Sequence, residues 1–153
     1  MVVETEIVIK LVLAAVIGSL LGFERKIHNR PGGTRTHALV CLGSTLFTIT
    51  SLGFSGNADP SRIAAGIVTG IGFLGAGTIF KTKNRVLGLT TAAELWTVAA
   101  IGIAIGIGLY FTAIATAVIV FIILVHGKRV EEKLVEKNHK NNHKTHKRKG
   151  WGV

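Results

Sequence analysis

The chain has 153 residues, 48% of them hydrophobic, a mean hydropathy of +0.50 and a formal net charge of +10. That composition excludes an ordinary water-soluble domain, and a single cysteine excludes a disulfide framework or a cysteine-rich zinc site. Nucleic acid is not the expected partner either: residues 128–153 alone carry nine Lys/Arg and three Glu, net +6, leaving +4 for the rest. Basic loops and a basic tail around an apolar body form a membrane pattern.

Residues 1–6 are acidic and lack the basic start of a signal peptide. The first predicted span covers about residues 7–24. Lys10 lies near its outer end and can snorkel to the interface. Ala14, Gly18 and Gly22 recur at four-residue spacing and form a flat ridge for close helix packing. Glu24, Arg25 and Lys26 end the span, and the basic loop after them contains Pro31, Gly32 and Gly33, which cannot all be helical.

The second span is expected at about residues 36–54. His37, Cys41, Ser44, Thr48 and Ser51 fall on one helical face. Such a stripe is ordinary hydrogen-bond glue between membrane helices; the alternative is the wall of a hydrated path. Asp59 followed by Pro60 signals a helix start, with Asp59 capping.

The third span, about residues 61–80, carries Gly66, Gly70, Gly72, Gly75 and Gly77. In water so many glycines would weaken a helix, but lipid leaves the backbone no partners outside the helix, so it is expected to form. Its glycine faces, on both sides, predict close contacts with neighbouring helices and make it the expected central helix of the bundle. Gly70, Gly72 and Gly75 also spell the dinucleotide fingerprint, without the strand and acidic partner that motif requires.

A basic loop at 81–87 precedes an apolar run of 36 residues, 91–126. One helix of that length would reach about 54 Å against a hydrocarbon core of about 30 Å. It must fold back, most easily at Gly106–Gly108, which predicts spans at about 91–105 and 109–126. Loops one and three and the tail are basic, whereas the other connections are not. The prediction is an all-α membrane protein: a bundle of five transmembrane helices in residues 1–127, N-terminus outside and C-terminus cytoplasmic. Residues 128–153 form a basic, largely disordered cytoplasmic tail, expected to meet anionic lipid. Its His139, His143 and His146 lack the acidic partner that a specific metal site would want.

Ionisable residues in or near spans are functional candidates by default. Glu24, Arg35, His37 and Glu94 all fall on the cytoplasmic side in this topology. Glu24 or Glu94 is expected to pair with Arg35, or the carboxylates Glu24, Asp59 and Glu94 to hold a hard cation through waters. A structural alternative exists for Glu94, since Thr91 and Glu94 fit a capping box. No nucleophile–base pair is visible, so no enzyme is expected.

Five ordered strings carry a resemblance: Gly22-Phe23-Glu24-Arg25; Arg35-Thr36-His37-Ala38-Leu39-Val40; Asp59-Pro60-Ser61-Arg62-Ile63-Ala64-Ala65; Gly70-Ile71-Gly72-Phe73-Leu74-Gly75-Ala76-Gly77; and Gly88-Leu89-Thr90-Thr91-Ala92-Ala93 with Trp96. Over about residues 7–126 the chain resembles the MgtC/SapB family of small bacterial membrane proteins. The resemblance implies a five-span inner-membrane domain and a part in survival at low magnesium. In some pathogens it also implies life inside host cells and restraint of the F-type ATP synthase. It concentrates interest on Glu24, Arg25, Arg35, His37, Asp59, Arg62, Thr91 and Glu94, and on the central glycines. Departures are Gly66 where Gln is common, Thr34 where Leu is common, and Glu94 where a small polar residue is frequent. Many relatives carry a soluble ACT-like C-terminal domain; a short basic tail is expected in its place.

The leading expectation is an inner-membrane protein that supports magnesium homeostasis by modulating a partner membrane complex such as the ATP synthase or a magnesium transporter. Its own homodimerisation is expected through the glycine ridges, and Mg2+ is the one ion to consider. The alternative is a magnesium channel or carrier, with Cys41, Ser44, Thr48 and Ser51 lining its path. A structural scaffold is the third reading.

Overall fold

The computed structural model describes residues 2–28, 30–54, 59–83 and 85–127. Expectations for the tail, including its histidines and its contact with anionic lipid, lie outside the described residues. Five helices are present among them: α1 Val2–Ile27, α2 Thr34–Leu52, α3 Ser61–Ala76, α4 Leu89–Gly106 and α5 Tyr110–Gly127. Each overlaps one of the expected helical stretches, with α1 starting earlier, at Val2, and α3 stopping at Ala76 instead of residue 80. Three of them, α1, α4 and α5, are long and apolar enough to cross a membrane. The two others differ for different reasons: α2 carries the polar stripe, and α3 is apolar but only 16 residues long.

By its contacts the chain divides into two units, 1–120 and 121–153. Of the second, residues 121–127 are described, the last turns of α5, where the His126 ring lies 3.2 Å from the Ile122 carbonyl.

Glycine decides how α1 meets α2. A methyl group at Gly18 would lie 2.5 Å from the His37 carbonyl oxygen, and one at Gly22 would lie 2.7 Å from Thr34 Cα. The two helices therefore touch backbone to backbone, antiparallel, along the ridge read from the sequence. On its other side α2 meets α4 in the same way. A methyl at Gly102 would overlap the Cys41 carbonyl oxygen, and one at Gly106 would lie 2.6 Å from Thr48 Cβ. Thr45 Oγ1 shares its hydrogen between Cys41 O of its own helix, at 3.0 Å, and Gly102 O of α4, at 2.9 Å.

The centre is thus occupied by α2 and α4 rather than by glycine-rich α3. The reason is the polar stripe: hydroxyls are stabilised where they find partners, and α2 buries His37, Cys41, Ser44, Thr45, Thr48 and Ser51. By contrast, α3 buries only Ile71 and Gly75. The apolar core joins Ala14, Ile17 and Leu21 of α1 to Val98, Ile101 and Ile105 of α4 and to Ala113 of α5. A second cluster ties Ile71 of α3 to Leu95 and Ala99 of α4.

The ends are shaped by their caps. α1 extends back to Val2, and Lys10 pairs with Glu6 at 3.0 Å while donating to the Gly106 carbonyl at 3.3 Å. That cation sits where the C-terminus of α4 leaves carbonyls unpaired. Between α3 and α4 the expected loop contains a small hairpin, β1 Phe80–Lys81 and β2 Val86–Leu87, paired antiparallel. Gly88 follows it at φ +89, where a side chain would overlap the Thr78 carbonyl oxygen, so the turn into α4 requires glycine. The fold-back is where the sequence put it: α4 ends at Gly106, and Gly108 takes φ +86.

Candidate functional site

The buried charges gather where the end of α1 meets the starts of α2 and α4. Arg25 reaches across from α1: its Nη2 donates to Thr91 Oγ1 at 2.8 Å, and its Nε lies 2.9 Å from Glu94 Oε2. The other Glu94 oxygen lies 3.2 Å from His37 Nε2. Glu24, the neighbour of Arg25, is 3.8 Å from its Nη1 and 3.0 Å from His28 Nδ1. His37 and Glu94 have side chains at most 1% exposed, so three helices are clamped together by charge in a nearly dry place.

Partner geometry constrains the protons. His37 Nδ1 lies 3.2 Å from the Gly33 carbonyl, which only accepts, so that nitrogen carries a hydrogen. Nε2 then faces a carboxylate oxygen across a gap that only a further proton can bridge as a hydrogen bond. In the side-chain positions seen here neither Glu94 oxygen, nor Glu24 Oε2, has a donor aimed at it. These are ion-pair contacts without aligned hydrogen bonds. Two carboxylates face one guanidinium, with the rings of His28 and His37 against their other oxygens. The loop backbone closes over them at Gly32, φ +72, where a methyl would sit 2.9 Å from Thr91 Cγ2 and 3.3 Å from His37 Cε1.

Two sequence expectations need correction. Glu94 pairs with Arg25, not Arg35, because Arg25 lies on the buried face of α1 whereas Arg35 is exposed on the first turn of α2. Nor does Glu94 close a capping box on Thr91: α4 begins two residues earlier, at Leu89, which places Thr91 inside the helix with its hydroxyl accepting from Arg25. Two contributors escaped the sequence reading. His28 stands four residues after Glu24, a helical spacing that could have flagged it, whereas nothing local marks Gly32 as the residue lying on His37.

Asp59 stands apart, at the far end of α3. Its carboxylate accepts from the Ser61 N–H at 2.9 Å and the Ser61 hydroxyl at 2.8 Å. Those two bonds, the hydroxyl's first, hold its carboxyl below the ordinary carboxylate value. Helix rise alone puts it roughly 24 Å from Gly75, which packs against Ala92 near the charged cluster. Glu24, Asp59 and Glu94 therefore do not converge on one ion, and no group of three His, Cys, Asp or Glu residues is arranged to hold a metal among the described residues.

The stripe of α2 divides. Cys41 and Thr48 press on Gly102 and Gly106, Ser44 borders a groove between α2 and α3, and Thr48 and Ser51 border a separate space of about 200 Å3 beside Pro60. Ser51 donates to the Pro60 carbonyl at 3.0 Å. Of the α3 glycines, a methyl at Gly75 would lie 3.5 Å from Ala92 Cβ and one at Gly77 would meet only its own turn. Gly66, Gly70 and Gly72 have nothing within 4 Å of where a Cβ would stand. Arg62 lies at one mouth of the α2–α3 groove and Arg35 at the other.

Known proteins agree with the resemblance. The sequence profile of the MgtC family matches residues 11–133. The chain is 42% identical over 142 residues to the "Putative magnesium transporter YhiD" of Escherichia coli K12, covering 88% of this chain and 66% of that protein. It is 50% identical over 115 residues to "Protein MgtC" of Brucella abortus, covering 74% and 47%. To "Protein MgtC" of Salmonella typhimurium it is 44% identical over 113 residues, covering 74% and 48%. The chain thus spans about two thirds of YhiD and about half of the MgtC proteins. No solved structure matches it. A profile match over most of the chain, on a fold of long apolar helices, makes this a membrane protein that belongs to the MgtC family.

Proposed function

We propose that this chain is a multi-pass inner-membrane protein that supports magnesium homeostasis by modulating a partner membrane complex, not by conducting the ion itself. All five helices would cross, with the N-terminus outside and the charged cluster at the cytoplasmic end. Alternating helix directions and basic loops on one side support that orientation.

The observation that carries the reading is the tight contact of the middle of the polar stripe with α4. Cys41, Thr45 and Thr48 press onto the backbone of α4 at Gly102 and Gly106, closer than a water molecule could pass. The hydroxyls act there as glue. The responsive part would be the Glu24–Arg25–His37–Thr91–Glu94 cluster, whose excess carboxylate invites a cation from the cytosolic side. Magnesium keeps most of its waters and wants near-octahedral oxygen ligands. Glu94 is already held by Arg25 and Glu24 is largely buried, so a hydrated ion would reach only the Glu24 Oε1 edge, in place of His28. A change in that clamp would shift α1, α2 and α4 together, and a partner such as an F-type ATP synthase could feel it.

A second reading, a magnesium carrier, draws on the name of the YhiD relative and on the Glu24 and Glu94 oxygens without aligned donors. One experiment separates the two: magnesium uptake into proteoliposomes, with an E24Q/D59N variant as control, beside growth at low magnesium. The modulator reading expects no uptake above empty liposomes from folded protein, while Glu24→Gln, which keeps the Arg25–Glu94 contact, abolishes growth support. Saturable uptake that disappears in the control would sink it.

A further inference from the structure

We propose that the groove between α2 and α3 is a binding site for one anionic glycerophospholipid, its phosphate at Arg35 and an acyl chain lying along Gly66 and Gly70. The groove has a volume of about 900 Å3 and nearly all of its wall is apolar, with Leu39, Phe47, Ile67 and Leu74 among its lining. It is open because glycine stands where side chains would fill it: a methyl at Gly43, Gly66 or Gly70 would meet nothing within 4 Å. From Arg35 to Phe47 the helix rise gives it a length of roughly 18 Å. One leaflet of the hydrocarbon core is about 15 Å deep, so the groove suits one acyl chain.

The charge at its mouths selects the headgroup. Arg35 lines one end beside Thr36, and Arg62 lines the other. Neither guanidinium is in an ion pair among the described residues, in contrast to Arg25. A planar fork of donors without a carboxylate, next to a hydroxyl and at the rim of an apolar slot, matches a phosphate diester. The Arg35 end has both donors and is the one assigned here.

A second copy of the chain fits less well. Two copies in one membrane would pair about an axis along its normal, placing the same patch against itself. Arg35 would then face Arg35 and Arg62 face Arg62. Like charges across an interface are unfavourable without an acid between them, and Glu24 and Glu94 are buried against Arg25. A lipid brings the anion with it.

The test uses the full chain, purified in mild detergent, delipidated and titrated with phosphatidylglycerol or phosphatidylcholine by native mass spectrometry. One phosphatidylglycerol should bind about tenfold more tightly than phosphatidylcholine, the effect of one charge-assisted contact. Arg35→Gln should remove that preference. Gly70→Leu, which fills open space and leaves the melting temperature in place, should displace the lipid, whereas Arg62→Gln should keep it. Association through the basic tail alone would survive both Arg35→Gln and Gly70→Leu, and that result overturns the proposal. So would equal binding of the two lipids, or a lipid-free dimer that Gly70→Leu disperses.

Discussion

Two sets of glycines in this protein look alike in sequence and do opposite things. Gly18, Gly22, Gly102 and Gly106 are filled by the backbone or Cβ of α2, whereas Gly66, Gly70 and Gly72 face empty space. Both sets lie in apolar helices at close-packing intervals. The difference lies in the neighbour. α2 brings hydroxyls and carbonyls that are stabilised only if buried against something, so it draws α1 and α4 onto itself, while α3 has no polar stripe and remains at the edge. Small-residue spacing therefore reports that a close approach is possible, and the polarity of the facing helix decides whether it happens inside the chain.

The contrast can be broken most forcefully at the filled faces. Gly18→Leu or Gly102→Leu drives a side chain into backbone that cannot move aside. Either should cost about 3 kcal/mol or more, read as a collapse of the thermal unfolding midpoint in detergent. A comparable loss, up to about 3–5 kcal/mol, is expected from Glu94→Gln, which leaves buried Arg25 only the longer 3.8 Å contact to Glu24. Adding Arg25→Gln to Glu94→Gln should then cost less than the two single changes summed, and strict additivity would show that the pair is not coupled. Thr45→Val removes the hydroxyl between α2 and α4 and should cost about 0.6 kcal/mol, the usual worth of such contacts in a membrane.

At the open face, Gly70→Leu should change stability by less than about 0.5 kcal/mol. A large loss there would show that the two faces are equivalent after all. Smallest is Asp59→Asn, at an exposed site outside the packed helices. Because the folded-state carboxyl titrates below its unfolded value of about 3.9, its contribution is present above that pH and fades as pH falls through the lower folded value. Wild type and variant should differ slightly at neutral pH and converge in strong acid, as pH-dependent melting would record.

Helix positions were readable because an apolar run in a membrane protein has little choice but to be helical. Residues 61–80 show where that logic stops: the helix ends at Ala76, and Phe80 and Lys81 pair with Val86 and Leu87 in strands two residues long, too short for any alternating pattern. The charged cluster was legible in membership but not in pairing. Glu24, Arg25, His37 and Glu94 are all marked by polarity near a span, yet only the rotation of α1 against α4 selects Arg25 over Arg35. Gly102 and Gly106 escaped because that stretch is uniformly apolar, and the sequence contains no sign of which side α2 approaches.

The lengths of α1 and α3 have a further consequence. At 26 and 16 residues they rise about 39 and 24 Å, on either side of a hydrocarbon core near 30 Å. If both helices cross, as proposed, a bilayer meeting the two flanks would be compressed along α3 relative to α1, at a fraction of a kcal/mol for each ångström of disparity. On the proposed five-span reading the surrounding lipid would sort accordingly, with shorter-chain species gathering along α3. Reconstitution across a series of acyl-chain lengths would make stability peak below the thickness that α1 alone would choose.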